Sequence, residues 1–235
     1  MPMPSDIVLD AASDPREIEG RSFALIDAEI PEPRPFSGAL WTVARRCIHT
    51  LGDVAVASEL RLSEDSLARG LAALRHGCTI FTDTRMAAAG MPQRRLGPLG
   101  VTVESMMAVP CLEEVAASAG VTRARAAVEL LAPRMGGQIV VIGNAPTALL
   151  ALLEYLDGMP EDSPAVPALI VGMPVGFVNA AQSKEWLHRT CWPHFTLLGR
   201  KGGSAVAAAC VNALAELVLA GNASAASEEQ SGNPR

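Results

Sequence analysis

Gln138-Ile-Val-Val-Ile-Gly143, followed by Asn144-Ala-Pro-Thr-Ala148 and a leucine-rich segment, decides how this chain is read. The pattern returns twice. Ala168-Leu-Ile-Val-Gly172 leads through Met173-Pro-Val-Gly-Phe-Val178 into a helix past Lys184 to His188, and Phe195-Thr-Leu-Leu-Gly199 leads through Arg200-Lys-Gly-Gly-Ser204 into an alanine-rich helix. A short apolar run, a glycine turn and a helix, repeated, spell a doubly wound parallel sheet. In such sheets ligands bind outside the carboxyl ends of the strands, where these three loops converge.

Working outward, Cys78-Thr-Ile-Phe-Thr82 and the run from Val101 to Met106 supply two further strands. The spacing therefore predicts an α/β protein with five parallel strands in one domain over residues 1–221. Residues 222–235 are rich in Ala, Ser and Glu without an apolar period, which predicts a disordered tail. Ahead of the sheet, Asp14 to Glu29 reads as a helix with Pro15 in its first turn. Ser37 to Leu51 is a second helix, whose buried stripe is Leu40, Val43, Ala44, Cys47, Ile48 and Leu51. Ser63 caps a third helix that runs to His76, with Glu64 and Asp65 where the dipole favours acids.

Composition bounds the function classes. The chain has 235 residues, 49% apolar and 19% charged, enough for one full core. A net charge of −6 argues against a general nucleic-acid binder. No apolar run is read as reaching the roughly 18 residues that a bilayer span needs, and Met1 to Asp14, with its acids and prolines, does not read as a signal peptide. Five scattered cysteines without a Cys-x-x-Cys pair fit thiols in a reducing compartment, so the cytoplasm is the expected location.

Candidate chemistry is sparse. The loops after Gly172 and Gly199 do not give G-x-G-x-x-G, and Arg200-Lys-Gly-Gly-Ser204 lacks a P-loop ending, which leaves a nucleotide-dependent enzyme the weakest reading. Amides at helix N-termini beside Arg200 and Lys201 suit an anion, although glycines there also serve close packing alone. Arg123 and Arg125 stand in the first turn of a helix and oppose its dipole, a cost that a bound carboxylate or phosphate would offset. His49 lies off the buried stripe of its helix, on a face shared with Thr42, Arg45 and Arg46. It is a candidate general acid or base, or a solvated surface histidine. Asp83 ends the first expected strand, where an aspartate is either a site residue or a helix cap. No nucleophile elbow or metal-spaced cluster is legible.

Six stretches then resemble one family, the precorrin-8X or cobalt-precorrin-8 methylmutases: Ile18-Glu-Gly-Arg-Ser-Phe-Ala-Leu-Ile-Asp-Ala-Glu29, Arg45-Arg-Cys-Ile-His-Thr50, Thr82-Asp-Thr-Arg-Met86, Gly143-Asn-Ala-Pro-Thr-Ala148, Gly172-Met-Pro-Val-Gly-Phe-Val178 with Ser183-Lys184, and Gly199-Arg-Lys-Gly-Gly-Ser204. The resemblance implies a flavodoxin-like three-layer α/β/α fold, a homodimer and no cofactor or metal. It also implies an isomerase that moves a methyl group from C11 to C12 of a polycarboxylate tetrapyrrole in cobalamin biosynthesis. It puts His49 at the catalytic position and Ser22 and Arg46 at substrate-binding positions. Arg123, in Val121-Thr-Arg-Ala124, matches a recurring Thr-Arg pair and is assigned to a substrate carboxylate; Lys201 lies in a matching loop, and its contact with substrate is inferred from that position. Gly20 and Arg85 depart from the family pattern, as does Trp192-Pro-His194. The alternative from another class is a non-catalytic corrinoid carrier.

Overall fold

The computed structural model describes residues 14–231. The expectation of no leader at the N-terminus thus falls almost wholly outside the described residues, as does the end of the expected tail.

Six strands form one sheet: β1 (Leu60–Arg61), β2 (Thr79–Thr82), β3 (Thr102–Ser105), β4 (Ile139–Ile142), β5 (Leu169–Gly172) and β6 (His194–Leu197). Their spatial order is β1-β6-β5-β4-β2-β3. The five strands expected from the sequence are all present and pair in parallel. The five-strand expectation is nevertheless corrected by β1, which pairs antiparallel with β6 through Leu60 opposite Leu197 and Arg61 opposite Thr196. Two residues carry no period, so only the partner strand reveals this edge.

The helices are α1 (Pro15–Glu29), α2 (Gly38–Leu51), α3 (Glu64–Arg75), α4 (Arg85–Ala89), α5 (Gln93–Leu96), α6 (Leu112–Ala119), α7 (Arg123–Leu131), α8 (Pro146–Leu156), α9 (Ala180–His188) and α10 (Ser204–Ser231). Alternation along each strand sends side chains to both faces. Ile139 and Val141 enter a core built with α2, α3 and α10, whereas Val140 and Ile142 enter a second core built with α6 to α9. All four residues are buried, which explains why β4 reads as an unbroken apolar run rather than an alternating one.

The final helix changes two expectations. Ser204–Ala223 is long and apolar enough by composition to cross a membrane, contrary to the reading that no run reaches that length. Two-thirds of that window (67%) is buried inside the protein, and Val206, Cys210, Val211 and Leu214 sit at the heart of the larger core. Here the apolar length serves as a core helix. Beyond Gly221 the same helix carries residues 222–231 of the segment read as tail.

Two glycines let α10 approach the sheet. A β-carbon on Gly143 would lie 2.7 Å from Ser204 Cα. Gly202, at φ +155°, sits so close to the β5 loop that a β-carbon would lie 2.2 Å from the Met173 carbonyl oxygen. Gly202→Ala is expected to destabilise the fold by about 3 kcal/mol, combining backbone strain with overpacking. Chemical denaturation checks this: a lowered midpoint with an unchanged slope is the expected result.

Candidate active site

Three of the five expected site residues cluster on α1 and α2. The Ser37–Leu51 reading holds to within a residue, and Leu40, Val43, Ala44, Cys47 and Ile48 are buried as the stripe predicts. That leaves Arg45, Arg46 and His49 on the free side of α2. Phe23, the neighbour of Ser22 on α1, organises them. Its ring meets the His49 imidazole edge-on at 5.5 Å, and the Arg45 and Arg46 guanidinium carbons lie 4.5 and 4.9 Å from its centroid. His49 itself is exposed, and the Ser22 hydroxyl donates back to the Ile18 carbonyl at 2.8 Å.

Carboxylates from distant segments hold these cations. Arg45 donates to Asp27 at 2.7 Å. Arg46 donates to Glu19 and, at 2.6 Å, to Glu216 of α10, which also pairs with Arg95 at 2.6 Å. Burial alone would lower the Arg46 pKa, but Glu19 and Glu216 raise it above the ordinary arginine value. Arg46 is therefore a fixed cation, with Glu19 and Glu216 occupying its donors. Neither carboxylate is legible as a partner from sequence spacing, since Glu216 lies 170 residues downstream.

Lys201 reaches towards the end of the same helix. Its Nζ donates to Asp53 Oδ2 at 2.7 Å and lies 3.8 Å from Glu59. Asp53 immediately follows Gly52, whose left-handed conformation closes α2 with its amide on the Ile48 and His49 carbonyls. The hydrogen bond from Lys201 holds the Asp53 carboxyl below its usual range, and Asp53 in turn raises Lys201.

Arg123 belongs elsewhere. It opens α7 on the opposite face of the sheet, where it lines a cavity of about 940 Å³. The walls come from the ends of β2 and β4 (Asp83, Thr84, Arg85, Asn144, Ala145), from Met107 to Glu114 after β3, and from Thr122 and Thr147. In the sheet, β2 lies between β3 and β4, so the strand order reverses there. A cavity at that reversal is where open α/β sheets place ligands. The helix-dipole cost at Arg123 and Arg125 is offset within the chain: Arg123 pairs with Glu113 at 2.5 Å, and Arg125 with Glu129 and Glu154 at 2.7 and 2.6 Å. One chain thus does not bring Arg123 to the His49 cluster.

The glycine loops spend several of their amides on the chain itself. The amides of Gly143, Asn144 and Ala145 all donate to Asp83, at 3.0, 2.7 and 2.7 Å. Asp83 is 2% exposed, and burial raises its carboxyl pKa although the three amides pull it down. The cap of α4 is instead Thr84, which accepts from Ala87 N. The other two loops fasten to each other: Gly176 N donates to the Arg200 carbonyl at 3.1 Å and Gly203 N to the Met173 carbonyl at 2.9 Å. The amides of Gly143, Asn144, Ala145, Gly176 and Gly203 are thus occupied within the chain.

Phe23, Glu19 and Glu216 are the site components that sequence reasoning passed over, whereas Asp83, read as a site residue or a helix cap, is the acceptor for the Gly143 loop amides. Phe23 alone left a signal, as one of few aromatics in a chain with 4% and adjacent to Ser22.

The precorrin-8X methylmutase family model matches residues 17–217. The chain is 42% identical to cobalt-precorrin-8 methylmutase of Salmonella typhimurium, over 85% of this chain and 94% of that protein. It is 43% identical to precorrin-8X methylmutase of Pseudomonas aeruginosa, over 88% and 98% of the two chains. The crystal structure of precorrin-8x methyl mutase from Thermus thermophilus superposes with a TM-score of 0.78 at 39% identity, covering 88% of this chain and 97% of that one. With the match spanning both the His49 cluster and the Arg123 cavity, this chain belongs to the precorrin-8X methylmutase family and is an isomerase of cobalamin biosynthesis.

Proposed function

We propose that the protein converts precorrin-8X, or its cobalt-containing counterpart, into hydrogenobyrinate or cobyrinate by moving the C11 methyl group to C12. The observation that carries this reading is the exposed His49 imidazole beside the fixed cation Arg46, both packed on Phe23. Substrate and product are isomers, so a proton given to the macrocycle must be balanced by one lost from it. His49 is the group that delivers the proton as general acid, while the ring is held so that the methyl group needs only to migrate to its neighbour.

The substrate's acetate and propionate groups call for cations at its rim. Arg46, Lys201 and Arg123 are the proposed holders, with Ser22 a hydrogen-bonding partner. Arg46 and Lys201 would exchange contacts with Glu19 and Asp53 for contacts with substrate, since those two carboxylates are the more exposed partners. Arg123 lies on the far face, and a homodimer, with a groove completed across subunits, would let it serve a ring protonated by the partner's helix. Exposed apolar side chains at Leu25, Met86, Phe177 and Val178 (65%, 73%, 84% and 78%) supply surface for such an interface. The parallel strand order supports a flavodoxin-like description, and the cytoplasm is the proposed location.

Incubating the purified protein with precorrin-8 and following the absorption spectrum tests the function. The methylmutase reading expects the spectrum to move to that of the product. A carrier would bind the tetrapyrrole and leave the methyl group at C11.

A further inference from the structure

Lys184 is the one lysine that α9 buries completely. It is 0% exposed, among the largest fully buried side chains of the protein. A lysine there loses the hydration of its ammonium, and leucine or methionine would fill the same space without that loss. Its Nζ donates to the backbone carbonyl of Lys201 at 2.5 Å. Burial lowers its pKa to about 8, and the nearby Glu59 carboxylate opposes that fall. The charged groups around it are Glu59 and, on the loop, Lys201 with its partner Asp53.

The segment it grips has few other means of holding a shape. Gly199, Gly202 and Gly203 all have positive φ, and two of the three bring no side chain within packing distance of a neighbour even if a β-carbon were added. The loop is tied down by hydrogen bonds at its carbonyls and amides. Arg200 O accepts from Gly176, Gly203 N donates to Met173, and between them Lys201 O accepts from Lys184. From the same residue, the Lys201 ammonium reaches Asp53 at the end of the helix that carries Arg46 and His49. Lys184, the Lys201 backbone, the Lys201 side chain and Asp53 form one continuous connection from the inside of α9 to the end of α2.

We infer that Lys184 is a positioning residue, whose buried ammonium fixes the Lys201 carbonyl and so aims the Lys201 side chain at substrate beside the His49 helix. This rests on the reading of Lys201 as a holder of a substrate carboxylate. It explains why a costly charge occupies a site that an apolar residue would fill. A lysine kept for stability and one kept for positioning differ in sign. At neutral pH a lysine with a depressed pKa is charged in both folded and unfolded states and opposes folding. That opposition is relieved as pH rises from about 8 towards the unfolded value of 10.5, because the unfolded chain then binds more protons.

The test is Lys184→Met beside Lys201→Ala, each assayed for thermal midpoint, amide hydrogen exchange over residues 199–203, and KM and kcat with precorrin-8. Lys184→Met is expected to keep or raise the midpoint, to speed exchange in the loop, and to raise KM about tenfold with kcat little changed, the loss expected when a charged hydrogen bond that orders a binding group is removed. A lowered midpoint with unchanged loop exchange would make Lys184 a plain structural residue and overturn the inference. A raised KM in Lys201→Ala with a normal KM in Lys184→Met would also overturn it while leaving the Lys201 role intact. A normal KM in Lys201→Ala would remove Lys201 from substrate binding; faster loop exchange in Lys184→Met would still uphold the anchoring of the loop.

Discussion

His49→Ala is expected to abolish methyl migration, lowering kcat by on the order of 10² to 10⁴, the range for loss of a positioned acid. Tetrapyrrole binding should survive, because the proposed anionic contacts belong to Arg46, Lys201 and Arg123. The substitution is also mild for the fold: His49 is exposed, its ring meets Phe23 edge-on, and alanine is a good helix former. Single-turnover kinetics with a parallel binding titration check it. Arg46→Ala should behave differently. It takes from Glu19 and Glu216 the cation they share, leaving Glu216 with Arg95 alone, and removes the contact with Phe23, so both stability and KM should suffer. A split between a kcat effect at position 49 and a KM effect at position 46 would separate proton delivery from substrate holding.

Asp83→Ala is expected to cost about 3 kcal/mol of stability, as much as Gly202→Ala, because three amides at the end of β4 lose their acceptor and Gly143 N is buried. Asp83→Asn keeps the shape and one acceptor oxygen, so its loss should be smaller. Acid sets both variants further apart from the wild type. Burial, outweighing the three amides, sets the Asp83 carboxyl above the ordinary aspartate value. As pH falls, the folded protein therefore takes up this proton before the unfolded chain does. The group's contribution thus grows as pH drops through its folded pKa, opposite to the usual behaviour of a paired carboxylate. Denaturant titrations from neutral towards acidic pH should show the deficits of both variants relative to the wild type widening by the same amount, because neither asparagine nor alanine titrates there, while the gap between the two variants stays constant. Because Asn144 and Ala145 line the 940 Å³ cavity with Arg123, Asp83→Ala should also weaken tetrapyrrole binding through the wall it disorders.

The stretch from 138 to 204 announced most of the fold because its three strands are buried on both faces and end in glycines, which packing demands at Gly143 and Gly172 and a φ of +76° favours at Gly199. Gly143 and Gly202 admit the start of α10 and the β5 loop so closely that a side chain would collide. β1 escaped because two residues make no pattern, and α10 was undervalued because alanine-rich core helices and membrane spans share a composition. For the site, helical spacing was enough to set Arg45, Arg46 and His49 on one free face of α2. What spacing could not express was pairing across the chain. Glu216 meets Arg46, Asp53 meets Lys201, and Asp83 fills the amides of the Gly143 loop. Such contacts depend on which elements the topology makes neighbours, and no local period records that.

The isomerase assignment rests on family membership together with the His49 cluster, and the position of the migrating group is its most specific content. Precorrin-8 carrying a ¹³C label in the C11 methyl group, incubated with the wild-type protein and followed by ¹³C NMR, measures it directly. The predicted result is a catalytic shift of the label from the resonance of a methyl on C11 to that of a methyl on C12, with no label lost. A label that stays at C11 in tetrapyrrole bound to the wild-type protein would contradict the account.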